Sequence, residues 1–127
     1  MRPARLALFA WCLFQTSVWA HHSTLGFDGT QPVTVSGIVA KLNWSHPHTY
    51  IVLDVTDNQG TLMQWTIESE SPYLLTRLGW TKQSIKPGEW IRVTGARAKN
   101  GAPQLRCRSV DLADGKSLPC FPSFPEQ

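Results

Sequence analysis

Beyond residue 14 the chain has no long apolar run, so nothing in it reads as a membrane-spanning helix, which needs about 20 apolar residues. It also lacks a strong charge of either sign. The net charge is +3, and two of the positive residues, Arg2 and Arg5, sit in the first five positions. The remaining cations are scattered and no charged tail is present, which argues against nucleic acid as a partner. Cysteine is scarce, at three residues, which excludes a disulfide-dense scaffold. Methionine is scarcer, at two, and only Met63 lies past the first residue, so thioether ligation of Cu(I) has no support. No nucleophile and base stand at a recognisable catalytic spacing. Ser45 beside His46 and His48, and the carboxylates Asp54, Asp57, Glu68 and Glu70, are the nearest approach to one. Adjacent residues rarely form a working pair, and exposed carboxylates are ordinary on strands and turns. The expectation is a protein that is not an enzyme, with no catalytic residue.

What is present begins with the N-terminus, MRPARLALFAWCLFQTSVWA. Arg2 and Arg5 precede an apolar stretch from Leu6 to Phe14, and Val18 and Ala20 occupy the −3 and −1 positions of a small-residue cleavage site. This three-part pattern predicts a secretory signal over residues 1–20, cut at Ala20–His21, and a periplasmic or secreted protein without stable membrane insertion. Loss of Arg2 and Arg5 leaves ten Lys and Arg against nine Asp and Glu, a net charge of +1.

The rest reads as one domain. Strand signals, rich in β-branched residues or alternating in polarity, cover 33–42, 49–56, 61–68, 89–97 and 104–112. Asp57–Gly60 and Asn100–Gly101 mark hairpin turns. Ser71 as N-cap, Pro72 at the first helical position, Leu74, Leu75 and Leu78 on one face and Gly79 as the stop predict a two-turn helix. The order β-β-β-α-β-β predicts an all-β protein, an OB-fold-like five-stranded barrel with one short helix between strands 3 and 4. An open sandwich with a peripheral helix is the alternative. Gly37 and Gly95, each in mid-strand, mark where such a barrel bends. Trp65, alternating with Met63 and Ile67, is expected in the core, and Trp80 at the barrel end. The barrel with its N-terminal arm is expected over 21–118 and a Pro-rich tail over 119–127. Cys107 and Cys120 leave two readings open: a disulfide tying that tail to the last strand, or a small buried residue in a strand.

The segments HHSTLGFD, PVTVSGIV, NWSHPHTYIVLDV, LLTRLGWTKQSIKPGEWIRVTGARAKNGAP and ADGKSL resemble a family of small exported bacterial proteins, the domain of unknown function DUF6152. The resemblance runs from His21 to about Leu118 and implies a periplasmic, OB-like domain. At the position of His46 the family pattern carries asparagine, whereas His48 matches it. The two cysteines also depart from the pattern.

Only four histidines occur, in two pairs. Cleavage before His21 gives that residue a free α-amine within a few bonds of its own ring and of His22. Amine and imidazole both offer lone pairs near neutrality. A nitrogen-rich set of this kind favours copper(II) in tetragonal geometry, and the same imidazoles suit zinc. His46 and His48 stand two apart around Pro47, a spacing that places both rings on one face of an extended segment. They fall in the loop between strands 1 and 2, one of the loops with which OB-folds take ligands. The expected metal ligands are therefore His21, His22, His48 and His46. The metal-free alternative is an OB module that binds a small organic ligand or a protein partner, with Trp44 and Tyr50 as the contact residues.

Overall fold

The computed structural model describes residues 26–121. Strands β1 (Phe27–Asn43), β2 (Tyr50–Thr56) and β3 (Leu62–Glu68) form an antiparallel meander. Helix α1 (Pro72–Arg77) follows, then β4 (Trp90–Ala98), β5 (Gln104–Leu112) and the short β6 (Ser117–Pro119). β1 also pairs antiparallel with β4, and β4 with β5. The circuit closes where β3 runs parallel to β5, with Thr66, Ile67 and Glu68 opposite Gln104, Leu105 and Arg106. The result is a closed five-stranded barrel in the OB arrangement, with the helix between the third and fourth strands. Among the described residues no helix is long and apolar enough to cross a membrane.

Closure requires strands to bend sharply, and the two mid-strand glycines sit where they do so. β1 shifts register between Val39 and Lys41, and β4 between Thr94 and Gly95. A Cβ on Gly37 would run into the backbone carbonyl of Asp54, and one on Gly95 into the carbonyl of Arg106. Neither glycine has an unusual φ; each is there because a neighbouring strand passes too close for a side chain.

Alternation fills the interior with Val35, Val39, Ile51, Leu53, Ile67, Ile91, Val93, Leu105 and Val110. Trp65 belongs to this core at 8% exposure. Met63 does not: it shares the inward parity but is 48% exposed, because β5 covers β3 only from Thr66 onward. Helix α1 starts as its sequence predicts. The Ser71 hydroxyl accepts from the Leu74 N–H, Pro72 opens the first turn, and Gly79 at φ +93° ends it. Leu75 alone of the three leucines is fully buried.

Trp80 plugs the interior at 1% exposure, and its Nε1–H donates to the carbonyl of Pro119 at 2.7 Å. That bond anchors a strand with no sequence signal, β6, which lines up on β5 with Val110 opposite Leu118. Cys107 and Cys120 are joined in a disulfide, both fully buried. The part of the chain expected as tail is thus held as far as Phe121.

One pair of core residues is polar. Thr49 and Ser69 face each other where β2 and β3 leave the barrel, Ser69 N–H donating to the Thr49 carbonyl at 2.9 Å. Both are fully buried, and among the described residues neither hydroxyl has a hydrogen-bond partner. A buried hydroxyl without a partner carries its full desolvation penalty. Thr49→Val, nearly the same shape, is expected to raise the unfolding free energy by about 1 kcal/mol. A denaturant titration showing a loss instead would mean that the hydroxyl finds a partner in solution.

Candidate functional site

The loop between β1 and β2, residues 44–49, carries most of the residues singled out by the sequence. Trp44 is half-buried and packs against the hydrophobic core. Ser45, His46 and Pro47 are exposed, and the His46–Pro47 bond is cis. His48 turns back onto the outer face of the barrel. Its Nδ1 lies 2.9 Å from Oε1 of Glu68 on β3. The two atoms are within ion-pair range, although not in line for a hydrogen bond. The His48 side chain keeps 28% of its surface and that of Glu68 13%.

The hairpin explains why these residues meet. The turn at Asp57–Gly60 is fixed by the Asp57 carboxylate, which accepts from the N–H groups of Gln59 and Thr61 at 2.8 Å each. Counting outward from it pairs Tyr50 with Glu68 across the two strands. Ile51 and Ile67 point inward, so Tyr50 and Glu68 point out. His48, two residues before Tyr50, falls on the same side. Its ring centroid lies 6.4 Å from that of Tyr50, with the planes 29° apart. The Tyr50 hydroxyl is held above its ordinary pKa, first by partial burial and then by the charge of Glu68.

Across the barrel closure, Arg106 stands in register with Glu68. Its guanidinium lies 4.4 Å over the ring of Phe121, and its Nε and Nη1 are shut off from solvent without a hydrogen-bond partner among the described residues. The outer face at this end of the barrel therefore presents an imidazole, a phenol, a carboxylate and a guanidinium across three strands.

The expected metal set divides. His48 has a carboxylate against it, and His46 is exposed in the loop beside it. His21 and His22 lie outside the described residues. The described chain starts at Gly26, whose carbonyl accepts from the Lys99 N–H at 2.9 Å, beside the turn between β4 and β5. Among the described residues no three His, Cys, Asp or Glu side chains group closely enough to hold a metal ion. Of the carboxylates considered for acid–base work, Asp57 is spent on its turn and Asp54 accepts from the Gln64 amide at 2.9 Å. The residue that sequence reasoning did not connect to the histidines is Glu68. The signal for it was present: the hairpin register set by Asp57–Gly60 places it beside the residues before β2.

Among curated proteins none matches this sequence. The model of one protein family does, over residues 11–105, which takes in the N-terminal arm, the histidine loop, the meander, the helix and β4. The chain belongs to that family, described as a family of unknown function (DUF6152).

Proposed function

We propose that this is an exported protein that binds a transition-metal ion, copper(II) foremost, outside the cytoplasm. In this reading cleavage at Ala20–His21 frees the α-amine of His21, and that amine, the His21 and His22 nitrogens and His48 supply the ligands. His46 is an auxiliary. Zinc suits the same imidazoles. The role is binding and handling of the ion, without turnover. The observation that carries the proposal is His48, an imidazole with a carboxylate at its inner nitrogen, on the loop and face where OB barrels receive ligands.

The test uses protein recovered after export. Intact mass is expected to begin at His21, and electron paramagnetic resonance during a copper(II) titration to give one tight nitrogen-coordinated signal. Acetylation of the His21 α-amine is expected to weaken binding roughly tenfold or more, since it removes the amine from the chelate. His46→Asn is expected to leave affinity within about twofold. Equal affinity in the two variants would sink the N-terminal part of the site.

A metal-free reading, a small organic ligand or a protein partner on this face, is favoured by one observation. The His48 and Tyr50 rings stand near each other on the outside of β2, half-exposed and close to parallel. A mature start elsewhere, or copper binding no tighter than that of stray surface histidines, would decide for it.

A further inference from the structure

Met63 is the one methionine beyond Met1. On β3 it shares the inward side with Trp65 and Ile67, yet it keeps 48% of its surface, against 8% for Trp65 and 0% for Ile67. Cover explains the gradient. β5 pairs with β3 only from Thr66 to Glu68, so the hairpin end of β2 and β3 stands clear of that seam. Val55 is the residue opposite Met63. The next inward pair, Leu53 and Trp65, is already buried. The edge of the core on this hairpin therefore falls between residues 63 and 65. A thioether outside that edge is open to oxidants that arrive from solvent, whereas one inside it is shielded. Among the described residues the remaining sulfurs, those of Cys107 and Cys120, are joined to each other and fully buried.

We propose that Met63 is a reversible oxidation site, which takes one oxygen atom from a peroxide while the barrel stays folded. The inference goes beyond metal binding and uses no histidine. In the step, a lone pair of the sulfur attacks one peroxide oxygen. The S–O bond forms as the O–O bond breaks, and the departing oxygen leaves as water after proton transfer. Sulfur is oxidised by two electrons and the peroxide is reduced by two. A thiol-dependent sulfoxide reductase reverses the change: two thiols become a disulfide and the oxygen leaves as water. A sulfoxide inside a core disrupts packing, because it sets a polar oxygen among apolar side chains. At Met63 water is available to that oxygen, and the buried pair Leu53 and Trp65 lies beyond it. What changes is the hairpin end, where an apolar side chain opposite Val55 becomes polar. Thioethers react with peroxide far faster than indoles do, so Trp90, exposed on β4, is no rival.

The test uses protein recovered after export, hydrogen peroxide as the oxidant, and a chelator to exclude metal-driven oxidation. Fragment masses are expected to place one added oxygen on residue 63. The rate is expected to lie within roughly threefold of that in the urea-unfolded chain, since half of the side chain already meets solvent. The oxidised protein is expected to keep the denaturation midpoint of the reduced one, and a methionine sulfoxide reductase with a dithiol to restore the starting mass. Met63→Leu, close in volume, is expected to lose the uptake. A second variant moves the sulfur across the edge of the core. Met63→Leu combined with Leu53→Met places it opposite Trp65, at a fully buried position. That protein is expected to oxidise at least about tenfold more slowly than the wild type while folded, and as fast as the wild type in urea. A wild-type Met63 that stays reduced while the unfolded chain reacts would overturn the inference. So would a sulfoxide that lowers the midpoint or resists the reductase, or a Leu53→Met sulfur that reacts as fast as Met63.

Discussion

Gly95→Ala is expected to lower the unfolding free energy by about 3 kcal/mol, measured from the midpoint of a denaturant titration. A single methyl has this effect because of what it meets. The new Cβ would lie against the carbonyl of Arg106 and close to the Cα of Cys107, and backbone atoms cannot rotate out of the way. The strain falls at the register shift of β4, where the barrel bends, and relief would pull β4 from β5. Gly37→Ala is expected to act alike, since its Cβ would meet the Asp54 carbonyl and, behind it, the Val55 methyl. Gly26 is the control. Among the described residues nothing lies within 4 Å of its Cβ position. Gly26→Ala is expected to stay within about 0.5 kcal/mol of the wild type. Should Gly95→Ala match that control, the close approach of β4 to β5 would be wrong.

Replacing Cys107 and Cys120 together by alanine is expected to cost about 3 kcal/mol as well, by a different route. The bond closes a loop with a sequence separation of 13. In the chain-entropy account, releasing a loop of that size gives the unfolded state this much additional freedom. The native state loses order too. The tail's other attachments include the three-residue ladder of β6, the Cys120 N–H donating to the Arg108 carbonyl at 2.9 Å, the Trp80 indole on Pro119 and the Arg106 guanidinium over the Phe121 ring. The variant should therefore also show faster amide exchange at Leu118 and Cys120, ahead of any change in β1 or β2. A double variant with the wild-type midpoint and unchanged exchange would show that the bond adds nothing to a tail already held.

The barrel was legible because its signals are local. Turn dipeptides, β-branched runs and a capped helix with proline at its start each act over a few residues, and the order of elements then left little choice of topology. β5 falls on the expected 104–112. Strand signals in the sequence start only at 33, yet β1 begins at Phe27, because Phe27 and Asp28 pair with Ala98 and Arg97 at the far end of β4. No local signal carries that pairing. β6 was invisible for the same reason: Ser117–Pro119 has no strand propensity, and only the disulfide and the indole bond place it. The exposure of Met63 shows that alternation gives a side chain its face but not the extent of its cover. The site was half legible. Its histidines could be picked from the chain as scarce and paired, but the partner of His48 lies twenty residues on, and finding it takes the hairpin register as well as the spacing.

The long first strand has a consequence for how the chain reaches its native state. β1 pairs with β2 along its second half and with β4 along most of its length. The first pairing needs only a short loop; the second brings Gly37 to Ile91, and the parallel seam brings Glu68 to Arg106. The meander β1–β2–β3 can therefore form early, but it leaves Val35, Val39, Leu53 and Ile67 with nothing opposite them. Their burial waits for two contacts distant in sequence, each paying a large loop-closure entropy before it returns anything. Pairings so distant in sequence predict slower folding than a chain of local contacts, and no fragment ending before β5 contains all the strands that close the core.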